Sequence, residues 1–138
     1  MIRKILTFFI VCFIASSTWA TENNSIVKWQ KWSPNVFEQA RREGRLVLLN
    51  LTAEWCQFCR KMDETSYRDP QVINIIMHNY IPVRADSALR YENDARPTTV
   101  IFDGNGIEII KRQGYLRPQW LLWLLEAVAQ NPSPEAHR

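Results

Sequence analysis

Glycine is scarce in this chain, with four residues among 138. Gly44, Gly104, Gly106 and Gly114 are too scattered to build a loop that cradles phosphates. Histidine is scarcer still: His78 and His137 offer no ligand spacing for a four-coordinate zinc centre. The formal net charge is only +3, and no basic stripe marks the chain for nucleic acid. Three cysteines are too few for a domain stapled by several disulfides. Long apolar runs are missing as well. The stretch from Ile5 to Ala15 falls short of the roughly 18–20 residues that a spanning helix needs. Repeats and low-complexity segments are absent.

What is present reads as one packed domain. The length allows a single core, and an apolar fraction of 46% with six tryptophans argues against disorder. Residues 1–20 stand apart. Arg3 and Lys4 precede the apolar stretch, and Ser16-Ser17-Thr18-Trp19-Ala20 supplies small residues before a cut after Ala20. This is the pattern of a secretory signal peptide, either cleaved or retained as a membrane anchor through residues 5–20. Both place the domain outside the cytoplasm, in the periplasm or an equivalent space. Without residues 1–20, Lys and Arg number 15 against 14 Asp and Glu, a net charge of +1. Cys12 leaves with that segment, so the exported chain keeps Cys56 and Cys59. A single pair closing so short a loop restrains the unfolded chain little, and its value is therefore chemical.

Residues 21–32 form a polar lead-in anchored by Ile26, Val27, Trp29 and Trp32. Ser33-Pro34 reads as an N-cap followed by proline, opening a helix that ends near Gly44. Leu46 to Thr52 is a continuous apolar strand of the kind buried on both faces. Asp69-Pro70 repeats the cap signal and opens a second helix, and Tyr80 to Ala85 is the next strand. Asp86 to Ala95 leaves room for a loop or about one helical turn. Thr98 to Phe102 and Ile107 to Lys111 flank the turn Asp103-Gly104-Asn105-Gly106 as a hairpin. Pro118 opens the last helix, on which Trp120 and Trp123 read as core. Asn131 begins a disordered tail, 131–138. Strands separated by helices, then a hairpin, imply an α/β domain with a mixed sheet of four to five strands flanked by helices.

Between the first strand and the helix that follows it stands Trp55-Cys56-Gln57-Phe58-Cys59-Arg60. Cys56 falls at a helix start, where free backbone N–H groups and the dipole favour the thiolate. Cys59 lies one turn deeper. The pair also admits a structural cystine, or half of a metal site such as a soft Cu(I) dithiol. Haem attachment would require histidine where Arg60 stands.

Three landmarks together resemble the thioredoxin superfamily: Ala53-Glu54-Trp55-Cys56-Gln57-Phe58-Cys59-Arg60, Asp69-Pro70-Gln71-Val72, and Arg96-Pro97-Thr98 entering a strand that ends in Phe102-Asp103-Gly104. The resemblance covers residues 33–130. It leans toward small exported thioredoxin-like domains such as the C-terminal domain of the thiol:disulfide interchange protein DsbD. It implies a thioredoxin fold and thiol–disulfide exchange without a bound cofactor. In that scheme Cys56 is an accessible nucleophile and Cys59 the resolving thiol. Gln57 and Phe58 tune the couple, and Phe58 also suits plain packing. Pro97 takes the place of a cis-proline, which with Arg96 and Trp55 would meet the substrate. The Arg96 charge would serve the Cys56 thiolate or acidic substrates, or else point into solvent.

Two departures from the family stand out. Asn50 occupies a position where thioredoxins commonly bury an acid, and an amide cannot titrate. Asp63, four residues after Cys59, and then Glu54 are the substitutes for a proton relay, with a solvated surface acid the plain reading of Asp63. The helix before Pro97 is shortened, which leaves one flank of the sheet thinly covered. The function implied is an exported reductase or isomerase of protein disulfides, fed by a membrane thiol carrier. A binding module of the same fold is the rival reading.

Overall fold

The computed structural model describes residues 26–87 and 89–138. The expected signal segment and Cys12 lie outside them. Among the described residues no helix is long and apolar enough to cross a membrane.

The chain runs β1 (Gln30–Lys31), α1 (Asn35–Glu43), β2 (Leu46–Leu51), α2 (Gln57–Glu64), α3 (Pro70–Asn79), β3 (Tyr80–Ala85), β4 (Thr98–Phe102), β5 (Glu108–Gln113) and α4 (Pro118–Gln130). The five strands form one sheet in the order β1-β3-β2-β4-β5. β1, β3 and β2 are mutually parallel, β4 runs antiparallel to β2, and β5 runs antiparallel to β4. This is the thioredoxin fold, a mixed sheet with helices on both faces.

β2 shows why both faces are covered. Successive side chains of a strand alternate between faces. Val47, Leu49 and Leu51 join Val36 and Ala40 of α1 with Ile81, Val83, Val100 and Phe102. Leu48 points the other way, into Met62 of α2, Val72 and Ile76 of α3, and Leu121, Leu125 and Val128 of α4. Asn50 shares Leu48's face and is the one polar residue of the strand, buried under α2.

The lead-in does more than anchor. β1 adds a parallel edge strand to β3, and the tryptophans on either side of it reach opposite faces. Trp29 meets Tyr67 edge-on with ring centres 4.8 Å apart, and Trp32 packs among Phe37 and Phe102.

Several boundaries differ from the sequence-based expectation. Ser33 offers no side-chain cap to α1; Pro34 takes the cap position and the helix opens at Asn35. Trp120 and Trp123, expected in the core, are 51% and 58% exposed. The buried stripe of α4 is Leu121, Leu125 and Val128, whose i, i+4, i+7 spacing centres the helix on α3. The tail expected to be disordered carries a 3-10 turn at Pro134–His137 lying beside β5. The His137 ring nitrogen lies 2.5 Å from the Asn131 carbonyl oxygen, which ties the turn to the end of α4.

Among the described residues between β3 and β4, a 3-10 turn, Leu89–Tyr91, is the one regular element. Arg96 organises this segment, its guanidinium donating to the carbonyls of Asp86, Tyr91, Asp94 and Ala95 at 2.7–3.4 Å. Beside this loop lies a groove of ≈ 500 Å³ lined by Trp32, Phe37, Tyr91 and Phe102, among others. The Arg96–Pro97 peptide bond is cis.

Candidate active site at the Cys56–Cys59 turn

β2 delivers the chain to the site. Its end, Leu51, stands in register with Ala85 of β3 and Thr98 of β4. The loop holding the cysteines therefore rises from the same sheet end as Pro97. Thr52 N–H donates to the Ala85 carbonyl at 2.9 Å, and Cys56 N–H to that of Ala53 at 3.2 Å. These bonds turn the backbone sharply into α2.

Cys56 is the N-cap residue of α2, with extended backbone, and its Sγ accepts the N–H of Cys59 at 3.1 Å. The first turn of α2 holds no acidic residue. A thiolate at Cys56 would thus gain a backbone hydrogen bond and the positive end of the helix, with no anion opposing it from that turn. The two cysteines are joined as a disulfide, Cα atoms 5.2 Å apart. Access departs from expectation: Cys56 is 2% and Cys59 4% exposed. The turn folds the bonded sulfurs inward, and what stands out beside them is Trp55, 76% exposed, and Phe58, 56% exposed. Gln57 is exposed between the cysteines.

Phe58 leans toward Tyr115 at 6.4 Å between ring centres. Lys61 Nζ lies 4.8 Å over the same Tyr115 ring, and the Tyr115 hydroxyl meets Thr65 Oγ1 at 3.0 Å. The loop before α4 is thereby fastened to α2. At Pro97, the carbonyl accepts the Gly114 N–H at 2.8 Å. The Arg96 side chain is engaged with the 86–95 loop described above, while its backbone stays beside Pro97. The Glu54 side chain is exposed, and its carbonyl accepts from Arg60 Nη1 at 3.0 Å.

Asp63, the first substitute for the missing acid, and Asn50 itself meet at a residue that the sequence reading passed over, whereas Glu54 does not reach it. Arg84 Nη2 bonds Asp63 Oδ1 at 2.5 Å. With the Asn50 amide oxygen turned toward it, Arg84 Nη2 and Nε both donate to Asn50 at 3.2 Å. The guanidinium lies 4.3 Å over the Trp29 ring and 5.9 Å from that of Tyr67. Burial pushes the Tyr67 phenol above its ordinary range, against a smaller opposing pull from the Arg84 charge. Among the described residues, the Tyr67 and Thr99 hydroxyls are buried without a hydrogen-bond partner. The available signal was a lone charge in an apolar strand, Tyr80-Ile81-Pro82-Val83-Arg84-Ala85.

The chain is similar to several known proteins. The thiol:disulfide interchange protein DsbD of Campylobacter jejuni is 30% identical over 105 residues, 67% of this chain and 18% of the relative, so the chain spans under a fifth of that protein's length. A thioredoxin from Thermus thermophilus superposes with a TM-score of 0.62 at 21% identity, over 74% of this chain and 88% of that one. A disulphide isomerase from Xylella fastidiosa gives 0.53 at 18% identity, over 68% and 86%. Residues 13–103 match the sequence profile of Thioredox_DsbH, described as "Protein of unknown function, DUF255". With two thirds of its length under that profile, the chain belongs to the Thioredox_DsbH family of the thioredoxin superfamily.

Proposed function

We propose that this chain is an exported thiol–disulfide oxidoreductase that reduces or isomerises protein disulfides by dithiol–disulfide exchange. The observation that carries the reading is Cys56 at the N-cap of α2, bonded to Cys59 and accepting its backbone N–H. The similarity to the C. jejuni thiol:disulfide interchange protein supports it.

In the reduced protein, the Cys56 thiolate attacks one sulfur of a substrate disulfide. A Cys56–substrate disulfide forms, and the other substrate sulfur leaves as a thiolate that takes a proton from solvent. The Cys59 thiol then loses its proton and attacks Cys56 Sγ. The Cys56–Cys59 bond forms, the mixed disulfide breaks, and the second substrate sulfur leaves as a thiolate. Two electrons pass from the dithiol to the substrate. Trp55 and Phe58 offer an apolar landing for the client, and the Arg96 backbone with Pro97 offers an edge for its extended chain. No histidine lies between the cysteines to add positive charge beside the thiolate, which favours the reducing direction over the oxidising one. Soluble reductants are scarce outside the cytoplasm, so the cycle calls for a membrane thiol carrier as donor. Residues 1–20 then serve as the export signal or anchor, and 33–130 as the working domain.

Insulin reduction followed by turbidity tests the reading. Reduced wild-type protein is expected to accelerate precipitation, and Cys56→Ser to abolish the acceleration. Equal rates for wild type and Cys56→Ser would overturn it.

A further inference from the structure

A polar cluster lies between the sheet and α2, the helix that opens at Cys56 and carries Cys59, and the exchange steps above leave it unused. Arg84, Asn50 and Thr99 form one register row across β3, β2 and β4, and residues paired in register project to the same face. That face is covered by α2. The Arg84 side chain is part-buried, 28% exposed against 41% for Asp63, and its guanidinium is held from four elements: Asp63 of α2, Asn50 of β2, Trp29 of the lead-in, and Tyr67 of the turn after α2. Asp63 follows Cys59 by four residues, so the two share a helix face with Cβ atoms about 5–6 Å apart. Tyr67 stays neutral because burial raises its pKa, and Asn50 and Thr99 do not titrate. The charges gathered under this end of α2 are therefore Arg84 and its partner Asp63.

We propose that Arg84 is a positioning residue of the exchange site, its permanent charge favouring the Cys59 thiolate and so promoting the resolving step. The proposal rests on the exchange reading. It also bears on the amide at position 50: neutral Asn50 holds the guanidinium without adding a second carboxylate to the one that Asp63 already sets against it. The step served is the second one above, in which the Cys59 thiolate displaces the substrate sulfur from Cys56.

The test is an NMR pH titration of the reduced protein carrying cysteine labelled with ¹³C at Cβ, the signals assigned with Cys56→Ser and Cys59→Ser. Arg84→Met is expected to raise the Cys59 pKa by about half a unit to one unit, and Asn50→Asp to raise it in the same direction. Asp63→Asn is expected to lower it, and Arg84→Lys to return most of the wild-type value. Closure onto a mixed disulfide between Cys56 and a chromogenic thiol should slow about threefold at neutral pH in Arg84→Met, the thiolate fraction lost with half a unit. An unchanged Cys59 pKa in Arg84→Met overturns the proposal, as does a raised one in Asp63→Asn. If Arg84→Met does not fold, Arg84→Gln, which keeps a polar donor toward Asp63 and Asn50 but no charge, carries the test: a raised Cys59 pKa supports the proposal and an unchanged one overturns it. The titration needs no client, so it stands whatever insulin reduction shows, and failure of one reading is distinguishable from failure of the other.

Discussion

Gly114 holds φ at +94° directly after β5, a conformation that costs an L residue roughly 1–2 kcal/mol. Space is not the constraint there, since nothing lies within 4 Å of an added Cβ. Gly114→Ala should therefore lower stability by about 1 kcal/mol through the backbone alone, read as a lower urea midpoint with an unchanged slope. Because the Gly114 amide holds the Pro97 carbonyl, the loss would fall beside the cysteines. At this scale the sequence was partly transparent. Cys56, Cys59 and Pro97 announce themselves through their neighbours in the chain. Arg84 does not, because its meaning comes from Asn50, 34 positions earlier, and only the parallel register of β2 with β3 joins them.

Elements were most legible where a local signal fixes an end. Asp69 caps α3, its Oδ1 accepting the N–H groups of Gln71 and Val72 at 2.9 and 3.1 Å, and Pro70 follows at the first helical position. Asp69→Ala should cost about 1 kcal/mol and lower Tm by about 3–5 °C, measurable by calorimetry. The far end of α3 is finished by Arg45, whose guanidinium donates to the carbonyls of Met77 at 2.9 Å and Tyr80. No local pattern declares that contact. β1 was missed because two polar residues at a sheet edge carry no alternation to read. On α4 the tryptophans misled: Trp120 and Trp123 are apolar enough for the core, but Leu121, Leu125 and Val128 face it.

Over the whole molecule, three phenols are protected by folding. Burial is the main cause at Tyr67, Tyr80 and Tyr91, and Glu108 adds to it at Tyr91. Folding raises each above the ordinary value of 10.0, so the folded chain keeps protons that the unfolded chain releases. Their contribution to stability is complete below pH 10 and is lost as pH climbs beyond it. Denaturant melts across pH 8–12 should show stability falling from about pH 10 upward, with phenolate absorbance appearing in step with unfolding. The same closure bears on the redox couple. Both sulfurs lie beneath the surface while Trp55 and Phe58 project from it, so a small ambient thiol finds little to strike. On the exchange reading proposed above, a macromolecular partner that grips the two rings would gain entry where a small thiol does not, and electrons would pass by recognition more than by chance collision.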